Sequence, residues 1–256
     1  MPRFLAALAL ALSLAPGPSP AGPAPGVAAA SDLKFALDEI ARDFTRETGT
    51  ALRLSYGSSG NFRRQIAEGA PFEVFLSADE SYVLALAREG RLEDEGTLYA
   101  VGRLVLFAPA GSPVDPEKGL AGLAALARER GVSRFAIANP LHAPYGRAAR
   151  QALERAGAWE ALQGRLVLGE NVSQAAQFAV SGNAAAGLFA YSLTFSPAVG
   201  AGGRFALVPG EAHEPLRQRM ALVKGAGREA RAFYRHLQGA AARAVFARYG
   251  FTLPGP

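Results

Sequence analysis

Leu33, Leu37, Ile40 and Phe44 recur at three- and four-residue spacing, which predicts a helix with one buried face, opened by Ser31 as its N-cap and closed at Gly49. Residues 52–56 alternate as a half-buried strand does, and the chain then runs through Ser58-Ser59-Gly60 into a second helix carrying Phe62 and Ile66. A strand over 72–76 and a helix carrying Tyr82, Leu84 and Leu86 continue the alternation. Strands separated by helices of this length imply parallel pairing with right-handed crossovers, so the fold class is α/β. Residues 99–109 predict one long strand. Gly111-Ser112-Pro113 then breaks the pattern and is the expected passage into a second half.

That half repeats the plan: helix 120–128, strand 134–138, helix 147–156, strand 165–168, a helix ending at Val180 and strand 186–190. A strand at 204–208 follows, then one at 219–223, expected to pair with residues 104–107 where the halves join. Helices 228–237 and 240–249 close the chain. Two similar α/β halves with strands crossing between them imply a hinge and a cleft.

The N-terminus adds a destination. Arg3, an apolar run over 4–15 and small, Pro-rich sequence after it form a secretory signal peptide, with cleavage expected after Ala21. The run is too short to span a bilayer, which takes roughly 20 residues. The chain has no Cys, which excludes disulfides, thiolate metal sites and a lipid-modified N-terminal Cys, so a free periplasmic protein is expected. The net charge of +5 is dispersed among mixed Arg and Glu on helix faces, a pattern that argues against nucleic-acid binding.

The chemistry concentrates at strand-to-helix turns rich in Ser, Gly and Pro: Ser58-Ser59-Gly60, Ser77-Ala78-Asp79, Pro144-Tyr145-Gly146 and Asn171-Val172-Ser173. A helix start has unpaired N–H groups and the positive end of the macrodipole, so such turns suit an oxyanion; the competing reading of each Ser is a simple N-cap. His142, His213 and His236 lack metal-ligand spacing, and no phosphate-binding glycine loop occurs. The enzyme alternative is a secreted serine hydrolase using Ser59 with His213 and Asp115, but Asn61 stands where the second glycine of a nucleophile elbow belongs.

Ala28-Ala29-Ala30-Ser31-Asp32-Leu33, Ser58-Ser59-Gly60 before Arg64-Gln65-Ile66, Gly69-Ala70-Pro71, Phe75-Leu76-Ser77-Ala78-Asp79, the Ala143-Pro144-Tyr145-Gly146 turn and Arg248-Tyr249-Gly250-Phe251 resemble the periplasmic molybdate-binding proteins of ABC transporters. The resemblance covers nearly all of the chain after the signal peptide. It implies a two-lobed type II periplasmic-binding fold with the ligand cleft between lobes, residues 26–103 and 218–256 forming lobe one and 104–217 lobe two. It implies capture of molybdate or tungstate, with sulfate the alternative tetrahedral oxyanion, no enzymatic activity, no cofactor, a monomeric state and a membrane permease as partner. Molybdenum enters only as the bound oxyanion. Ser31 and Ser59 are implied hydroxyl and backbone donors, Asp32, Tyr145 and Val172 backbone donors, and Tyr191 a further ligand although it stands one residue late in its strand. The Tyr145 hydroxyl is a further candidate donor. Pro23 and Pro25 fall where the first strand begins, so that strand is expected to be short or frayed.

Overall fold

Two five-stranded sheets with helices packed on them organise residues 23–255, the part of the chain that the computed structural model describes. The signal peptide expected over 1–21 lies outside the described residues. In chain order the elements are β1 (Gly26–Ala30), α1 (Lys34–Thr48), β2 (Arg53–Gly57), α2 (Ser59–Ala67), β3 (Val74–Ser77), α3 (Glu80–Arg88), β4 (Thr97–Gly102), β5 (Leu104–Pro109), α4 (Gly119–Arg128), β6 (Phe135–Ala138), α5 (Pro144–Arg155), α6 (Trp159–Leu162), β7 (Leu166–Gly169), α7 (Val172–Val180), β8 (Ala186–Ala190), α8 (Pro197–Gly200), β9 (Gly203–Leu207), β10 (Leu216–Leu222), α9 (Arg228–Gln238) and α10 (Ala240–Arg248).

The first sheet has the order β2-β1-β3-β10-β4, and the second β7-β6-β8-β5-β9. β1 pairs in parallel with β2 and β3, and β6 with β7 and β8, while β10 and β5 run antiparallel to their neighbours. Burial follows the two-residue period of a strand covered on both faces. Val27, Ala29, Val74 and Leu76 join the core under α1, α9 and α10, whereas Ala28 and Phe75 face Phe62, Ile66 and Val83 of α2 and α3. The second sheet has its own core, built on Leu104 to Ala108, Phe135 to Ala138 and Leu188 to Ala190.

Three expectations are corrected. Residues 99–109 are two strands, β4 and β5, in different sheets, and the chain changes sheet at Arg103; the break at Gly111 is a loop beyond β5. β10 pairs with β3 and β4, not with residues 104–107, because its two faces complete the cores on either side of the first sheet, Met220 on one and Ala221 on the other. β1 is not frayed: Pro23 and Pro25 precede the ladder, Pro25 supplies a carbonyl to the Arg53 N–H at 3.0 Å, and all five strand residues are buried and in register with β2.

Candidate functional site

The carboxyl ends of β1, β2, β3, β6 and β7 meet between the sheets, the place where open α/β folds bind ligands. A small cavity of about 10 Å³ lies there, lined by Ser31, Asp32, Ser58 and Ser59 from one lobe and Tyr145 and Val172 from the other, with Ala30, Ala78 and Pro144 closing its walls. None of the described residues that line it is Lys, Arg or His. Five of the six candidate residues are therefore brought together across sequence gaps of more than a hundred positions.

The donors come from helix starts. Ser59, Tyr145 and Val172 sit in the first turns of α2, α5 and α7, where N–H groups have no acceptor within the helix. The loop and cap bonds at those turns are taken by neighbours instead: Gly60, Phe62, Gly146, Arg147, Ser173 and Gln174. Pro144 contributes no N–H and presets the helical φ, so the Tyr145 amide is the leading donor of α5. The helix expected from Arg147 thus begins three residues earlier.

The serines do not behave as caps. Ser59 Oγ accepts the Ala78 N–H at 2.9 Å, which leaves its own proton to donate into the cavity. Ser31 Oγ reaches the opposite lobe, donating to Asn171 Oδ1 at 3.1 Å and accepting the Ser173 N–H at 3.2 Å, and the Ser31 carbonyl accepts the Ser173 hydroxyl at 2.9 Å. The expected N-cap role of Ser31 is not seen, because a short 3-10 turn over Ser31–Leu33 precedes α1 and no side chain caps it. Asn171 is a true cap, accepting the Gln174 N–H at 3.1 Å.

The Tyr145 hydroxyl joins a buried polar cluster. It passes over Gly102, where a Cβ would stand 2.2 Å from it, and lies 3.3 Å from Gln218 Nε2. Gln218 also donates to Asp32 Oδ2 at 2.6 Å and accepts from the Tyr99 hydroxyl at 2.7 Å. This buried chain, Tyr99–Gln218–Asp32 with Tyr145 beside it, joins the lobes behind the cavity. Burial pushes the Asp32 carboxyl up to about 6, against the lowering effect of Gln218 and Tyr145, and its Oδ1 has no partner. Burial, and then the Asp32 charge, hold the Tyr145 and Tyr99 hydroxyls well above their usual range, so both stay protonated. Gln218 carried no sequence signal, since one Gln in a strand matches no motif.

Tyr191 stands apart from the other five candidates. It does not line the cavity, and its ring packs against Phe195 at 5.1 Å and Phe205 at 5.9 Å, with the Arg103 guanidinium over it at 4.8 Å. The end of β8 turns it toward the strands that link the lobes. The hydrolase constellation is not assembled either: His213 Nδ1 lies 2.7 Å from the Glu214 carbonyl, Asp115 caps the turn at Glu117, and neither is hydrogen-bonded to Ser59.

Comparison with known proteins agrees in one direction. The family described as bacterial extracellular solute-binding protein matches residues 26–252. The molybdate-binding protein ModA of Azotobacter vinelandii is 37% identical over 230 residues, 89% of each chain. ModA of Escherichia coli K12 is 32% identical over 237 residues, 89% of this chain and 88% of that one. The solved structure of the Azotobacter vinelandii periplasmic molybdate-binding protein superposes with a TM-score of 0.81 at 32% identity, covering 90% of this chain and all of that one.

Proposed function

We infer that this chain, which belongs to the bacterial extracellular solute-binding proteins and to the molybdate-binding group within them, captures molybdate outside the cytoplasm for import by an ABC transporter. The observation that carries the reading is the meeting of serines and helix starts from both lobes around one small cavity free of basic side chains. Ser59 gives hydroxyl and backbone donors, Asp32, Tyr145 and Val172 give backbone N–H groups, and Ser31 gives its backbone N–H and, on turning its hydroxyl from Asn171, a hydroxyl donor, to the four oxygens of a tetrahedral dianion. Hydrogen bonds to a charged group contribute about 1.5–3 kcal/mol each. Six or seven of them exceed the roughly 10 kcal/mol of a tens-of-nanomolar complex, and dianion desolvation and lobe ordering take up the difference.

The lobes are residues 26–103 with 218–256, and 104–217, moving as two bodies about the links at Arg103 and at 208–215. The protein acts as a periplasmic monomer, and its closed form is what the membrane permease receives. Tungstate, with the same charge and shape, is a second ligand, and sulfate, which is smaller, binds more weakly. Calorimetric titration with molybdate, tungstate and sulfate tests this. Tight molybdate and tungstate binding with weak sulfate binding is expected, and sulfate heat without molybdate heat would reject it.

A further inference from the structure

The rim of the cleft carries cross-lobe contacts made by groups other than the proposed anion donors. The His142 carbonyl accepts the Gly60 N–H at 3.0 Å, and His142 Nδ1 lies 2.9 Å from the Ser58 hydroxyl. Glu170 accepts a hydrogen bond from Asn61 Nδ2 through one carboxylate oxygen and brings the other to 3.5 Å from His142 Nε2. Gly60 and Asn61 belong to the first turn of α2, while His142 and Glu170 stand on the loops before α5 and α7.

Two features distinguish these contacts from incidental packing. A helix start lacks internal acceptors and is the positive end of the macrodipole, so the His142 carbonyl delivered by the other lobe supplies an acceptor that α2 is missing, and the Glu170 carboxylate, bound to the Asn61 side chain, places a negative charge at that end. The approach also depends on the absence of a side chain at residue 60. A Cβ there would lie 2.6 Å from the His142 carbonyl oxygen and 3.0 Å from its Cα.

We propose that Gly60, Asn61, His142 and Glu170 form a latch that sets how long the closed lobes hold the anion, while the groups facing the cavity set which anion is held. The proposal rests on the oxyanion-receptor reading above. The anion leaves only from the open form, and opening breaks every latch contact, so the latch acts on the dissociation rate. Glu170 is also a negative charge at the mouth of an anion path and opposes entry, an effect that belongs to the association rate. Its two roles separate on substitution: Glu170→Gln keeps an acceptor for Asn61 and removes the charge, whereas Glu170→Ala removes both.

The test measures dissociation by chasing labelled molybdate from the purified protein with excess unlabelled molybdate, alongside calorimetric Kd values for molybdate and sulfate and the melting temperature without ligand. Gly60→Ala and Glu170→Ala are each expected to speed dissociation about tenfold or more, the loss of one or two hydrogen bonds at 1.4 kcal/mol per decade. The ligand-free melting temperature and the molybdate-to-sulfate preference are expected to stay as in the unsubstituted protein. Glu170→Gln is expected to recover most of the slow dissociation and to bind faster at low salt. Dissociation within twofold of the unsubstituted protein in both Ala variants would overturn the latch, and so would a change in anion preference as large as the change in rate. An unsubstituted protein that binds sulfate but no molybdate would instead overturn the molybdate reading, and this latch with it.

Discussion

Asp32 brings a carboxyl that is 1% exposed to the wall of the proposed anion cavity, with one oxygen unpartnered. Burial raises its folded-state value from 3.8 to about 6, so the folded protein holds this proton more tightly than the unfolded chain. The stability this contributes is fully present below pH 3.8 and is lost as pH rises through about 6. Asp32→Asn keeps an acceptor for Gln218 and cannot ionise. It is expected to match the parent near pH 4 and to exceed it by on the order of 2–3 kcal/mol at pH 8, read from denaturant midpoints across that range. A variant less stable than the parent at pH 8 would show that the carboxylate is better satisfied than its geometry indicates. At Ser59 the argument concerns the ligand alone, since its oxygen already accepts from Ala78 and its proton is spare. Ser59→Ala is expected to weaken molybdate binding by about 1–3 kcal/mol with a small loss of stability, checked by calorimetry and thermal melting.

Three helix starts carry the proposed binding amides, and the helices hold them in place through ordinary packing. The buried face of α1, through Leu37, Ile40 and Phe44, was readable from spacing alone, because a 3.6-residue period leaves the same mark wherever a helix lies on a sheet. Leu37→Ala is expected to cost about 2–5 kcal/mol in denaturant unfolding, as deletion of a fully buried leucine does. Helix starts were less legible. The sequence marks the Pro144 turn as a helix entrance but points to Arg147 as the helix start, since Pro at the first helical position and Pro in a loop look alike in sequence. Asn171 does two jobs, capping α7 and receiving the Ser31 hydroxyl from the other lobe. Asn171→Ala is expected to lower stability by about 1 kcal/mol and to weaken molybdate binding as well, a pair of effects a cap alone does not produce.

The two sheets touch through the cavity walls, through the Asp32–Gln218–Tyr145 chain behind it and through the rim in front, where Arg147 also reaches Asp79. A ligand seated among these contacts stabilises both lobes at once. Molybdate at a hundredfold over its Kd is expected to add about 2.7 kcal/mol, seen as a rise in melting temperature that the same concentration of sulfate does not match.

What the sequence determined by itself is what local repetition encodes: the alternation of strands and helices, the buried faces, and the Ser- and Gly-rich turns at strand ends; the choice of Ser31, Ser59, Tyr145 and Val172 among those turns came from the family resemblance. The pairing of β10, the change of sheet at Arg103, the outward turn of Tyr191 and the inward turn of the Tyr145 hydroxyl were decided only in three dimensions. Each of these depends on which distant surface a residue meets, and that choice is made by the burial of whole sheets and helices against one another, an energy summed over many contacts that no single stretch of chain contains.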